Sequence, residues 1–311
     1  MLLTFCGTPA FAVPTLEQLV AAHHSVSLVV TQPDRPRGRG MDLVASPVKE
    51  SAIRLGIPVL QPATIKNNAE FREQLSALHP DAIIVVGYGR IIPQWMIDLP
   101  RFGNLNLHAS LLPKYRGAAP IQWAIASGES VTGVTTMRID AGLDTGDILL
   151  QRELPISDDD TAETLSPPLA AIGAQLMIET LQALEAGRLQ PTPQDHSQAT
   201  LAPILKKEDG HMDFARTAST LFNRMRGFRP WPGAFTLFRT KTLQVHRAHP
   251  AQNTLRLPPG AIAVEGPRLL VACGHNTALE LLEVQVEGKR RMTAQEFING
   301  YHPALGDLQG K

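Results

Sequence analysis

Leu2-Leu3-Thr4-Phe5-Cys6 is a short apolar run, and it breaks at Gly7-Thr8-Pro9-Ala10-Phe11. Apolar residues at helical spacing then occupy Val13 to Val20, and a second run, Ser27–Val30, follows. Helical stretches from Val48 to Leu55 and from Ala69 to Leu78 flank the same pattern, with the run Ala82–Val86 after them. Strands alternating with helices predict an α/β fold, a Rossmann-like doubly wound parallel sheet. The first turn lacks the G-x-G-x-x-G spacing of a dinucleotide site, and no P-loop is present, so an oxidoreductase reading is disfavoured.

The next strand carries the chemistry. In Asn104-Leu105-Asn106-Leu107-His108-Ala109-Ser110-Leu111-Leu112-Pro113, alternate residues of an extended chain share a face. Asn106 and His108 therefore point one way, and Leu105, Leu107 and Ala109 the other. An amide that holds a developing oxyanion beside a titratable base suits acyl transfer. After the apolar strand from Val134 to Ile139 comes Asp140-Ala141-Gly142-Leu143-Asp144-Thr145-Gly146-Asp147, a tight acidic loop. Ligands of open α/β sheets bind at the carboxyl ends of strands, where Asp144 could orient the imidazole as the third member of a triad does. A strand end with two satisfied polar side chains, followed by an ordinary Asp/Gly turn, is the plainer reading. The pairing of the two elements in one α/β pattern argues against it.

The chain has 311 residues, 43% apolar and 19% charged, which suits a globular protein of two domains. No apolar run approaches the roughly 18 residues of a membrane span. The amino terminus reads as a strand and not as a signal peptide, so a cytoplasmic location is expected. Cys6 and Cys273 lie in apolar stretches as core thiols without metal-ligand spacing, and no metal site is expected. The net charge of zero hides an asymmetry: Leu205 to Lys311 holds 15 Lys+Arg against 9 Asp+Glu, a net +6, and the remainder holds 14 against 20, a net −6. A basic C-terminal part suits a polyanionic partner.

Thr31 to Lys49 reads as an inserted basic finger, with Arg35, Arg37 and Arg39 at alternate positions among Gly38, Gly40 and three prolines. Asp160 and Glu163 have the spacing of a capping box, but Pro167-Pro168 follow, so a short turn from Thr161 and a restart with Ser166 as N-cap is expected. Leu169, Ile172, Leu176, Leu181 and Leu184 then give one apolar face. Residues 189–205, with Pro191, Pro193 and Pro203, read as an extended linker between a catalytic domain, 1–188, and a C-terminal domain, 206–311. A helix from Ala215 to Met225 and five short β-rich runs from Ala234 to Val286 suggest a small closed barrel.

Six segments in register give a resemblance: Thr31-Gln32-Pro33-Asp34-Arg35-Pro36 with Gly38-Arg39-Gly40, Ser46-Pro47-Val48-Lys49, His108-Ala109-Ser110-Leu111-Leu112-Pro113, Arg116-Gly117-Ala118-Ala119-Pro120, Gly142-Leu143-Asp144-Thr145-Gly146 and Pro230-Trp231-Pro232-Gly233-Ala234-Phe235. The chain resembles the 10-formyltetrahydrofolate-dependent formyltransferases. The first, fourth and sixth segments narrow the resemblance to the branch that formylates initiator methionyl-tRNA. The resemblance implies Asn106, His108 and Asp144 as catalytic residues and 10-formyltetrahydrofolate as co-substrate, with no metal. It implies folate along Ser110, Leu111, Leu112 and Pro113, with the pterin near Val86, Gly87, Tyr88, Asp140 and Gly142.

The same resemblance implies an OB-like C-terminal barrel that binds tRNA and a finger whose Arg39 enters the acceptor arm; Arg35 and Arg37 of the same basic finger, and Lys206 and Lys207 where the linker meets the barrel, are expected to contact the tRNA as well. A monomer is expected. Met41 and Asp42 stand where the family usually has lysines, and Arg229 where it usually has Asn. The alternative is a folate-dependent transferase acting on a small amine, either an amino sugar or a glycinamide ribonucleotide. It would share the catalytic set and lack the finger and the basic barrel.

Overall fold

The computed structural model of the chain describes residues 1–37, 42–252 and 256–309. In chain order the elements are β1 (Leu2–Gly7), α1 (Val13–Ala21), β2 (Ser25–Val30), β3 (Arg35–Arg37), β4 (Asp42–Val44), α2 (Pro47–Arg54), β5 (Val59–Leu60), α3 (Ala69–Ala77), β6 (Ala82–Val86), α4 (Gln94–Ile97), β7 (Asn104–His108), β8 (Arg116–Gly117), α5 (Pro120–Ala126), β9 (Val131–Arg138), β10 (Ile148–Pro155) and α6 (Ala162–Glu185). There follow β11 (Leu201–Ala202), α7 (Ala218–Gly227), β12 (Phe235–Phe238), β13 (Lys241–Gln252), β14 (Ile262–Glu265), β15 (Arg268–Cys273), β16 (Thr277–Val286), β17 (Met292–Thr293), α8 (Ala294–Tyr301) and β18 (Leu308–Gln309).

Two compact units emerge, and neither is continuous in sequence. The first comprises Met1–Pro120, Val131–Pro155 and Leu165–Pro203; the second comprises Ile121–Ser130, Ile156–Thr164 and Ile204–Lys311. The first unit is built on a sheet of order β10-β9-β7-β6-β1-β2-β5. The strands from β5 to β7 are parallel, as the alternation of strand and helix predicts. β6 is apolar throughout and β1 is apolar apart from Thr4, and Leu3, Phe5, Ile83 and Ile84 are fully buried. One face packs Cys6, Val30 and Ile83 against Phe71, Leu75 and Met96. Each such side chain contributes roughly 1.5–3 kcal/mol by leaving water.

To the parallel core the structure adds two antiparallel strands at one edge. His108 pairs with Thr135 and Leu105 with Arg138, so β9 runs antiparallel to β7, and β10 runs antiparallel to β9. The connection from β7 re-enters the sheet at the end where it left, so β9 must reverse direction. The acidic loop after β9 thus starts beside the amino end of β7 and folds back over that strand. The finger is a hairpin at its base: Arg35 pairs with Val44 and Arg37 with Asp42. Lys49 Nζ meets Asp34 Oδ2 at 2.6 Å, and Gln61 Nε2 donates to Asp34 Oδ1 at 2.7 Å, so the base is pinned. Arg39 lies outside the described residues.

Two expectations change. α6 runs unbroken through Pro167 and Pro168. Thr161, not Asp160, caps it: Thr161 Oγ1 accepts from Thr164 N at 3.2 Å, and Asp160 Oδ2 instead accepts from Ser157 N at 2.8 Å. The prolines lie one turn in, where two missing N–H donors are outweighed by a helix that buries Leu165, Leu169, Leu176, Met177 and Leu181. The segment expected as a free linker is held to the first unit as far as Pro203. Thr192 exchanges two backbone hydrogen bonds with Ile148, and β11 pairs in parallel with β8.

The second unit is mostly antiparallel β. Its strand path is β14-β15-β16-β13-β12-β18, with β17 on β16. Register shifts around Arg247 bend the long β13–β16 ladder. Among the described residues no ladder joins β14 to β18, so the pairing path stays open where a closed barrel was expected. The core holds Phe214, Leu221, Phe238, Leu243, Leu279, Leu281 and Phe297. Arg226 of α7 is buried in this unit and donates to the carbonyls of Ser157 and Asp160, both at 2.8 Å.

Candidate active site

The alternation of β7 is as expected. Leu105 and Leu107 are buried on one side. On the other, Asn104 spends its amide on the carbonyls of Met96 and Ile97, at 2.8 and 3.1 Å, and is structural. Asn106, one register step on, is only partly buried, and its Nδ2 lies 3.5 Å from Asp144 Oδ1.

His108 is 6% exposed, with one ring nitrogen fixed. Nε2 lies 2.9 Å from the carbonyl oxygen of Tyr115. A carbonyl only accepts, so Nε2 carries a proton and Nδ1 is the nitrogen that gains or loses one. Nδ1 faces Asp144 Oδ2 at 3.7 Å, within ion-pair range and beyond a hydrogen bond. The triad analogy therefore needs correcting. The Tyr115 carbonyl orients the ring, and Asp144 supplies a charge beside Nδ1.

Asp144 is itself held. Gly117 N donates to its Oδ2 at 2.8 Å. Its backbone is left-handed, φ +50°, as is that of Tyr115, φ +60°. Each conformation costs roughly 1–3 kcal/mol for a residue other than glycine and needs support from its surroundings. At Asp144 the support comes from Gln194, whose Nε2 donates to the carbonyls of Asp144 and Gly146 at 2.9 and 2.7 Å. Gln194 Oε1 accepts from Arg116 Nε and Nη2, at 3.1 and 2.6 Å, and Arg116 also reaches His196 Nδ1 at 3.2 Å. Tyr115, Arg116 and Gln194 were missed from the sequence as site residues. Backbone carbonyls leave no pattern, and Gln194 lies in a stretch that reads as linker.

Asp140 closes its own loop: Oδ1 accepts from Gly142 N at 3.0 Å and from Thr145 Oγ1 at 2.7 Å. Gly142 is required there, because an added Cβ would lie 1.9 Å from Thr145 Oγ1. The Ser110–Pro113 loop is organised by buried Thr135, which accepts from Leu112 N at 3.2 Å and donates to Ser110 O at 2.6 Å. Ser110 and Leu112 are buried, while Leu111 and Pro113 are partly open. Val86 and Tyr88 are likewise buried, and Gly87 between them is exposed. A cavity of about 530 Å³ is lined by Ile65, Lys66, Arg90, Ile92, Ile97 and Ala141, among others. It adjoins the expected segments without containing them.

Arg35 is exposed on the finger, and Lys206 and Lys207 are exposed at the start of the second unit's C-terminal stretch. Arg37 is placed by its backbone pairing alone. Among the described residues no group of three or more His, Cys, Asp or Glu could hold a metal ion, and no helix is long and apolar enough to cross a membrane.

An amide, a fixed imidazole and a clamped carboxylate gathered on a Rossmann-like sheet suit a group-transfer enzyme. Residues 1–181 match the formyl transferase family model, and residues 204–302 match that of the formyl transferase C-terminal domain. The methionyl-tRNA formyltransferase of Koribacter versatilis is 66% identical over 100% of this chain and 99% of its own length. That of Acidobacterium capsulatum is 63% identical over 96% of each. The chain belongs to the formyl transferase family, in its methionyl-tRNA branch. Among solved structures, an N-formyltransferase from Helicobacter canadensis, in complex with folinic acid and dTDP-3-aminofucose, shares the fold. Its TM-score is 0.66 at 19% identity, covering 90% of this chain and 98% of that one.

Proposed function

We propose that this enzyme transfers the formyl group of 10-formyltetrahydrofolate to the free α-amine of methionyl-initiator tRNA. The observation that carries the reading is full-length similarity to methionyl-tRNA formyltransferases together with an intact Asn106, His108 and Asp144 constellation. The co-substrate supplies a formyl carbon already activated by its N10, so the protein's task is to hold charge and move protons. The Asn106 amide donates to the oxygen that becomes negative as the amine adds. His108 Nδ1 accepts the proton released from the amine and returns one to the departing N10, while Nε2 stays on the Tyr115 carbonyl. Asp144 stabilises the imidazolium between those steps.

The cavity beside Ala141, apolar along Ile65, Ile92 and Ile97, suits the flat pterin, with Asp140 and Gly142 shaping its rim. The rest of the folate then runs along the open edges of Leu111 and Pro113. Arg35, Arg37 and Arg39 of the finger and Lys206 and Lys207 contact tRNA phosphates. All catalytic groups come from one chain, and the reading takes the enzyme as a monomer acting in the cytoplasm, where initiator tRNA is charged. Incubation with 10-formyltetrahydrofolate labelled in the formyl carbon tests the reaction. Label should appear in alkali-released N-formylmethionine only when charged initiator tRNA is present. Label transferred instead to an amino sugar or a glycinamide ribonucleotide would overturn the reading.

A further inference from the structure

Three consecutive residues hold the frame around His108 and Asp144. The Tyr115 carbonyl fixes His108 Nε2, the Arg116 side chain fixes Gln194, and the Gly117 N–H fixes Asp144 Oδ2. Gln194 completes this frame from a distant part of the chain. Arg116 has donors only, so the Gln194 atom facing it is the oxygen. The amide nitrogen is thereby directed at the two carbonyls of the Asp144 turn, which accept both of its hydrogens. Gln194 is 6% exposed, and the guanidinium holding it is equally buried, so water cannot readily replace either end. The turn it grips contains a left-handed aspartate, which relaxes if released. Gly146 lies between strands, and a Cβ there would collide with the Arg138 carbonyl, so the turn passes close against β9.

We propose that Gln194 is a positioning residue for formyl transfer, acting through Asp144: it sets the backbone of the Asp144 turn so that the carboxylate stands beside His108 Nδ1. Arg116 acts one step further back by fixing the orientation of the amide. Neither side chain touches the reacting atoms. The proposal rests on the transfer reading for its kinetic consequences, and its structural consequence stands without that reading.

Gln194→Glu is the informative variant. It keeps the size of the side chain and an acceptor for Arg116, and replaces the donor to the two carbonyls by an oxygen. In the ligand-free protein, amide exchange across residues 142–147 should quicken by about tenfold or more, while exchange in the sheet strands stays unchanged. Unchanged exchange in the turn would overturn the clamp, whatever the acceptor of the formyl group proves to be. Turnover should fall by about 10²-fold, as for misplacement of a catalytic group by an ångström, with KM for both substrates within about threefold of wild type. Placed on Asp144→Asn, the same change should cost less than about threefold, because its effect passes through that carboxylate. Equal losses in both backgrounds would show a general structural effect and overturn the proposal. Should Gln194→Glu fail to fold, Gln194→Met, which removes both ends at similar volume, carries the same comparisons.

Discussion

His108 is useful because its two nitrogens have different neighbours. A carbonyl at 2.9 Å from Nε2 fixes the tautomer of the neutral ring, and a carboxylate at 3.7 Å from Nδ1 favours the cation that forms during transfer. His108→Ala and Asn106→Ala should therefore each lower kcat by roughly 10²–10³-fold in a protein that still folds, because each removes charge stabilisation specific to the reaction. Asp144→Asn should be similarly damaging. Steady-state kinetics alongside circular dichroism would check this; near-normal turnover in folded His108→Ala would remove the imidazole from the mechanism. Asn106, His108 and Asp144 were readable because side chains two apart on a strand share a face and because Asp/Gly loops announce themselves. Tyr115 contributes through its backbone, which no residue type advertises. Gln194 is 50 positions from the carbonyl it holds on Asp144.

At the scale of elements, the finger base and the turn before α6 each have a charged side chain at their centre. Asp34 pins the finger, and its carboxyl is held below the ordinary carboxylate range by Lys49 first and Gln61 second. A lowered folded-state pKa means that the contribution is present above the unfolded value of about 4 and is lost as pH falls through the folded value. Asp34→Ala should free the hairpin base at neutral pH, raising KM for tRNA several-fold while folate affinity, measured by fluorescence titration, stays unchanged. Loss of folate affinity would assign the hairpin to the other substrate. Arg226 is the counterpart in the second unit. Arg226→Met takes the guanidinium donor from both the Ser157 and Asp160 carbonyls, although Ser157 keeps a backbone donor in Asp160 N, and should cost about 1–2 kcal/mol in urea unfolding of the full chain. A change under about 0.5 kcal/mol would mean that the turn is held by its own Thr161 and Asp160 caps. The prolines of α6 misled the sequence reading because propensity sees the missing donors and not the buried leucines that outweigh them. The direction of β9 was hidden for a related reason: periodicity marks a strand without saying at which end the chain re-enters the sheet.

For the whole molecule, the asymmetry of +6 and −6 between the C-terminal stretch and the remainder becomes a statement about tRNA. Each phosphate contact releases condensed counterions, so tRNA affinity should fall steeply and log-linearly with salt, while folate affinity should not. Lys206→Ala with Lys207→Ala should flatten that slope by roughly one to two units, read by filter binding over a salt series. An unchanged slope would place both lysines outside the tRNA site. Substitution is a cleaner test than truncation near Leu189. Such a cut removes Gln194 and β11 from the first unit, so loss of activity would report a damaged Asp144 turn as much as a missing domain.

The central claim, that this site formylates an aminoacyl-tRNA and not a small amine, is tested most directly by kcat/KM for wild-type enzyme on charged initiator tRNA and on free methionine at saturating 10-formyltetrahydrofolate. The tRNA should win by at least about 10⁴-fold, with elongator methionyl-tRNA well below the initiator, because remote phosphate contacts supply binding energy that the free amino acid lacks. Comparable values for tRNA and free methionine would contradict the account.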